Sequence, residues 1–206
     1  EYARRKNIRI VEIDASYSFS GNDYLSLSLL NYKNGDRNPY VWMSFQNVIK
    51  MANIVSDDLS EIFPEDGKKI EDNLEKFSQE IKKIENEYLE KTLALSSLSV
   101  ITLTENLDYL FNDLNIFFNY VDSNELTVEK ISEVMKRNNS KIFVSDRWIK
   151  KEIINEIEKK GGKFLVLDNF NIPRELNEKM DPDGYLKGMK ENMEKLVEVM
   201  KIMDKK

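Results

Sequence analysis

The chain has no cysteine and no histidine among its 206 residues, and these two absences remove most of the usual chemistry of a site. Without cysteine there is no disulfide, no thiolate nucleophile and no cysteine-held zinc, although the compartment stays open because exported proteins need not carry disulfides. Without histidine the chain loses the commonest ligand for zinc, copper and nickel and the usual general base near neutral pH, so any metal must be held by oxygen. No apolar run reaches the roughly 20 residues that span a bilayer, which excludes a transmembrane segment in this chain. A Gly-x-Ser-x-Gly elbow, a phosphate-binding glycine loop and a paired-carboxylate motif are also missing, so an enzyme is not expected. The chain opens on Glu1 with neither an initiator methionine nor a signal peptide, and it is expected to be a processed or truncated form.

What is present suits a globular protein. Hydrophobic residues make up 41% of the chain and charged residues 33%, with a net charge of -6. That is enough to bury a core in one or two domains. No dense basic cluster offsets the negative balance, so nucleic acid is not expected as a partner.

The pattern along the chain begins with Ile8-Arg9-Ile10-Val11-Glu12-Ile13, which reads as a short strand, and Ser16 to Asn38 reads as loop. A helix is expected from Ser44, its hydroxyl serving as N-cap, with Val48, Met51, Ala52, Val55, Leu59 and Ile62 on one apolar stripe that stops near Pro64. The longest regular pattern follows: Ile70, Leu74, Phe77, Ile81, Ile84 and Tyr88 alternate at spacings of four and three, as in a core helix or a coiled-coil segment that could pair two copies.

Strands are then expected over Leu98 to Thr104, Ile116 to Val121, Lys141 to Ser145 and Lys163 to Asp168, with helices near Asn106 to Leu114, Val128 to Asn138, Trp148 to Lys160 and Gly184 to Met203. This alternation predicts a parallel sheet with right-handed crossovers and helices on both faces. Gly161-Gly162 fits a helix end turning into a strand. In the last helix Tyr185, Met189, Met193, Leu196, Met200 and Met203 share a face, expected to pack on the sheet rather than to form a peptide groove. Asp181-Pro182-Asp183-Gly184 reads as a turn into that helix, since a calcium loop would need further ligands and a closing glutamate.

One motif goes beyond pattern. Asn38-Pro39-Tyr40-Val41-Trp42-Met43-Ser44, followed by an amphipathic helix, resembles the Asp-Pro-His-Val-Trp-Leu-Ser signature of the solute-binding proteins of zinc and manganese ABC importers, a group that includes surface lipoproteins and adhesins. The resemblance extends from about Lys6 to the C-terminus. It is carried by Phe63-Pro64 before the long helix, by Ile101-Thr102-Leu103-Thr104 with Tyr109-Leu110-Phe111, by Ile142-Phe143-Val144-Ser145, by Leu165-Val166-Leu167-Asp168 and by Gly184-Tyr185-Leu186. It implies a periplasmic-binding-protein-like α/β lobe with a parallel four-stranded sheet, joined by a long helix to the remnant of an N-terminal lobe. Residues 1–43 would be the tail of that first lobe, 44–92 the helical segment with the linker helix, and 93–206 the C-terminal lobe.

The resemblance also implies a set of site positions. Tyr40 stands where the motif has histidine, Thr104 at a second histidine position, Ser145 at a third ligand position, and Asp168 keeps the aspartate of the pattern. Glu105, next to Thr104, offers a further carboxylate. The candidate metal residues are therefore Asp168, Glu105 and Tyr40, with Thr104 and Ser145 as cleft positions. The implied ion is a divalent metal, zinc or manganese, held weakly or not at all on this ligand count, because tight zinc takes about four nitrogen, sulfur or anionic oxygen ligands and a phenol with a pKa near ~10 is a poor one. A hard ion held by oxygens is a variant of this reading. Set against it, Asp168 reads equally as a strand-end aspartate shaping a turn, and Tyr40 and Trp42 as packing aromatics between lobes.

The function implied is the extracytoplasmic solute-binding component of a metal-type ABC importer with a diverged metal site. It would be periplasmic or on the cell surface, lipid-anchored, and partnered by an ABC permease, with its oligomeric state left open. The alternative is a receptor scaffold reused for a small polar solute, or for adhesive protein contacts without metal.

Overall fold

The computed structural model describes residues 13–15, 27–171 and 181–204. Residues 8–12 of the expected first strand, and residues 16–26 of the loop after it, lie outside the described residues. The Asn-Pro-Tyr motif runs into a short 3-10 turn, Val41–Met43, and then into helix α1, Phe45–Ile62. Ser44 caps α1 as expected, its Oγ accepting from the Asn47 amide at 3.0 Å. The same hydroxyl donates to Asp113 Oδ2 at 2.8 Å, and that carboxylate also takes the Gln46 amide at 3.3 Å. A distant aspartate thus completes the cap and fixes where α1 begins.

The face of α1 differs from the expected stripe. Of its six residues only Val48 is buried, while Phe45 and Ile54 are fully covered. The cause is that α1 packs both on the long helix and, at its start, on the segment that carries Asp113, so its burial does not follow one line. After Pro64–Asp66 the chain turns into α2, Gly67–Thr92, 26 residues and so about 39 Å long at 1.5 Å per residue. Its expected stripe divides in two: Ile70, Leu74 and Phe77 are half-buried, whereas Ile81, Ile84 and Tyr88 sit in the core. The stripe is a core helix face along its second half.

The remaining elements are β1, Ser99–Thr102; α3, Asp108–Asp113; β2, Phe117–Tyr120; α4, Ile131–Asn138; β3, Ile142–Ser145; α5, Lys151–Lys159; β4, Lys163–Val166; and α6, Gly184–Asp204. The four strands form one parallel sheet in the order β2-β1-β3-β4, with Ile101 opposite Phe143 and Phe143 opposite Phe164. Strand alternation sends Val100, Ile142, Val144 and Leu165 to one face, where they pack with α2, α3 and α6, and Ile101 and Phe143 to the other, against α4 and α5. The expected α/β class and parallel four-stranded sheet are therefore present. The methionine face of α6 is core: Met189, Met193, Leu196 and Met200 are all buried between the sheet and α2.

Two glycines set the entry to β4. Gly161 has φ +80°, the left-handed turn that ends α5, and a Cβ on Gly162 would lie 2.5 Å from Met135 Cε and 2.8 Å from the Lys141 carbonyl. Close approach of β3 to β4 at this end requires that hydrogen.

Candidate functional site

The strand order makes a crevice. From β1 the chain leaves through α3 on one face of the sheet, and from β3 through α5 on the other. The loops therefore diverge above the carboxyl ends of β1 and β3, the switch point where open α/β sheets take ligands.

Every strand ends in the same local device. Thr104 Oγ1 accepts from the Asn106 amide at 3.2 Å, Asp122 Oδ1 from Asn124 at 2.8 Å, Ser145 Oγ from Arg147 at 3.3 Å and Asp168 Oδ1 from Phe170 at 2.8 Å. A short side chain bonding the amide two residues on turns the backbone out of the ladder. This is why β1 and β4 stop before Thr104 and Asp168, where strand was expected to run on. Phe170 is held at φ 58° beyond that turn, a conformation uncommon outside glycine, with its ring 5.0 Å from that of Tyr185.

The other candidates lie around these turns. Tyr40 follows the buried Asn38, whose Oδ1 accepts the Tyr40 amide at 3.0 Å and whose Nδ2 donates to the Glu105 carbonyl at 2.8 Å. The Tyr40 ring is 5.4 Å from that of Trp42, and its hydroxyl accepts from Asn171 Nδ2 at 3.4 Å. Glu105 Oε1 accepts the Lys33 amide at 2.7 Å, and the Lys33 ammonium lies 4.7 Å above the Tyr120 ring. A cavity of about 650 Å³ opens here, lined by Tyr32, Thr104, Glu105, Tyr120, Ser145 and Arg147 among others. It brings Thr104, Glu105 and Ser145 together. Tyr40 and Asp168 are not in its wall; Asp168 lines a separate groove with Phe164, Lys195 and Glu198.

Asp146, Asn169 and Asn192 carry no sequence signal that singles them out, whereas Trp42 and Tyr185, which join them at the site, stand in the motifs of the resemblance. Asp146, one step past Ser145, has a side chain only 2% exposed. Its Oδ2 accepts from Asn106 Nδ2 at 2.6 Å and from Asn169 Nδ2 at 2.8 Å, and its Oδ1 from Arg147 Nε at 3.0 Å. Asn192, fully buried on α6, bonds both backbone polar groups of Asp168. Trp42 Nε1 donates to the Asn169 carbonyl at 2.9 Å, and Tyr185 Oη donates to the Trp42 carbonyl at 2.6 Å. The one sequence cue for Asp146 is position, one residue beyond the end of β3; Asn192, inside α6, has none.

Charge at the site is mainly anionic. Burial, then the nearby Tyr40, Glu105, Asp108 and Asp146, push the Tyr32 phenol up to about 12, so it stays a neutral donor. Burial and then Glu105 raise Asp108 to about 7, against the pull of Lys33, and Asp108 Oδ1 is buried with no hydrogen-bond partner. Of positions 40, 104, 145 and 168, only Asp168 bears a carboxylate. Among the described residues no group of three or more aspartates or glutamates is placed to hold a metal ion.

Comparison with known proteins fits this architecture. The family model for the zinc-uptake complex component A periplasmic protein, ZnuA, matches residues 4–199. No curated protein matches the chain in sequence. Among solved structures, a FpvC mutant from Pseudomonas aeruginosa superposes with a TM-score of 0.71 at 15% identity, over 85% of this chain and 69% of that one. The Zn(II)-bound ZnuA-like domain of Streptococcus pneumoniae AdcA gives 0.66 at 20% identity, over 91% and 69%. A mutant of the laminin-binding adhesin of Streptococcus agalactiae gives 0.68 at 18%, over 96% and 74%. At these identities the structures share the fold, that of the metal-type ABC solute-binding proteins, and the match across residues 4–199 shows that the chain belongs to the zinc-uptake complex component A periplasmic family.

Proposed function

We propose that this chain serves outside the cytoplasm as the solute-binding component of a metal-type ABC importer, with a metal position that has diverged from tight zinc binding. The observation that carries the reading is the chemistry of the four implied ligand positions. Tyr40, Thr104 and Ser145 offer neutral oxygens, and Thr104, Ser145 and Asp168 each already accept a backbone amide in a turn. Such a set does not fit a tightly held dication, which takes about four nitrogen, sulfur or anionic oxygen ligands at short range. Family membership supports a membrane permease as partner, and the same reading gives residues 93–206 the role of the C-terminal lobe, 44–92 the linker helices and 1–43 the tail of a first lobe, with a lipid anchor to hold the protein at the membrane.

A second reading, a small polar solute, is favoured by the cavity of about 650 Å³. The Thr104 and Ser145 hydroxyls accept from their turns and keep their protons to donate, Tyr32 and Tyr120 add aromatic walls, and Glu105 and Arg147 supply both signs of charge.

The test is metal analysis of the purified full-length protein by mass spectrometry with thermal-shift titrations of zinc, manganese and calcium. Ligand at 100 times its Kd adds about 2.7 kcal/mol, enough to raise the melting temperature by several degrees. No stoichiometric ion and no rise are expected. A stoichiometric ion whose melting shift disappears in Asp168→Ala overturns the reading.

A further inference from the structure

The crevice at the switch point is crossed by a carboxylate. We propose that Asp146 is a built-in anion that holds together, without an ion, the four segments carrying Tyr40, Thr104, Ser145 and Asp168. That it stands in for an ion rests on the reading above, in which these segments once shared one. The hydrogen bonds themselves stand independently.

Burying a carboxylate is strongly unfavourable unless donors meet its oxygens. With a side chain 2% exposed, Asp146 has three such donors, and two of them come from other loops: Asn106 after β1 and Asn169 after β4. Each arm is tied further out. Tyr32 Oη donates to Asn106 Oδ1 at 2.9 Å, and Trp42 Nε1 donates to the Asn169 carbonyl at 2.9 Å. A continuous chain of hydrogen bonds therefore runs Tyr32, Asn106, Asp146, Asn169, Trp42, and it joins the segment before the motif, the motif, and the ends of β1, β3 and β4.

The polarity of this centre is the reverse of a metal site. A cation would need lone pairs pointed inward, whereas here an anion sits in the middle and N–H groups point at it. The amides cannot readily turn their oxygens inward instead. Asn169 Oδ1 accepts the Asn171 amide at 3.0 Å, so turning that amide would set Nδ2 against a second donor, and turning Asn106 would require the Tyr32 hydroxyl to reverse from donor to acceptor. The same arrangement makes the space left by removing Asp146 a site for a small carboxylate.

The two tryptophans allow a direct readout, because Trp42 is tied to the network and Trp148 is 76% exposed. In a Trp148→Phe background, kept in EDTA, Asp146→Ala is expected to shift Trp42 emission to the red. It should also raise the unfolding equilibrium constant at least tenfold, with far-UV circular dichroism unchanged. Sodium formate should recover part of both signals where sodium chloride at the same ionic strength does not. Unchanged emission and stability, or equal recovery by chloride, overturns the proposal. Should Asp146→Ala not fold, Asn106→Ala, Asn169→Ala and their combination carry the test: losses that fail to add support one network, and simple addition refutes it. Zinc titration of the Trp148→Phe parent addresses the receptor reading separately, since a stoichiometric zinc response overturns that reading whatever Asp146 does.

Discussion

Asn192 grips the backbone of Asp168 at both ends: its Oδ1 accepts the Asp168 amide at 2.9 Å and its Nδ2 donates to the Asp168 carbonyl at 2.8 Å. The side chain is fully buried on α6, so it fixes the exit of β4 from within the core and leaves the Asp168 carboxylate to shape the turn to Phe170. Asn192→Leu, close in volume, should cost about 2–4 kcal/mol by urea unfolding, because it strips the partners from two partly buried backbone groups. Asn192→Asp should cost more, since it sets a buried carboxylate against the Asp168 carbonyl. Equal stability of the leucine variant and the wild type would show that the backbone finds other partners.

Asp108 predicts a pH dependence of a particular sign. Burial and then Glu105 raise its folded-state pKa to about 7 from the ordinary carboxylate value of 3.8. The folded protein therefore binds more protons than the unfolded chain between about pH 4 and pH 7, and the contribution of this group to stability, full below pH 4, is lost as pH rises through 7. A shift of three units corresponds to about 4 kcal/mol. The residue is only half-buried, and solvent screening reduces this to about 1–2 kcal/mol. Asp108→Asn should be more stable than wild type at pH 8 and show a flatter stability profile between pH 4 and 7. Parallel profiles for the two proteins would remove Asp108 as the source.

Much of the fold from β1 onward could be read from local signals. Apolar runs at Ile142 to Val144 and Phe164 to Leu167 are bounded by turn formers, and the helices between carry one-sided apolar faces. β1 and β4 end two residues short of Thr104 and Asp168, where the apolar pattern runs on, because side-chain turns compete with the ladder there. The local apolar stripe does not give the buried face of α1, because a residue 69 positions from its cap, Asp113, anchors its start. The network at the site was invisible for the same reason. Asp146 meets Asn106 across 40 residues and Asn169 across 23, and nothing in either neighbourhood marks the pairing. Only the topology, which gathers all strand ends at one edge, brings them together.

Gly162 tests the packing below that edge. A methyl group there meets Met135 Cε at 2.5 Å, which a flexible side chain can relieve, and the Lys141 carbonyl at 2.8 Å, which it cannot. Gly162→Ala should therefore destabilise by about 1–3 kcal/mol through overpacking. Gly161→Ala should be destabilised too, through its positive φ, although nothing lies within 4 Å of its added carbon. Denaturation midpoints unchanged in Gly162→Ala would mean that β3 and β4 can part at this end without loss.

Restoring ligand chemistry sets the network against a metal. Tyr40→His, Thr104→His and Ser145→Glu, with Asp168 retained, would supply two imidazoles and two carboxylates at the positions the family resemblance marks. Two of these changes also remove hydroxyls that accept the Asn106 and Arg147 amides, and those residues are the ones that donate to Asp146. In chelator the triple variant should therefore be less stable than wild type, by about 1 kcal/mol for each lost cap or more. Zinc should then raise its melting temperature, and should raise it further once Asp146→Asn removes the competing anion. A triple variant indifferent to zinc with and without Asp146→Asn would show that these four positions do not converge on a common point.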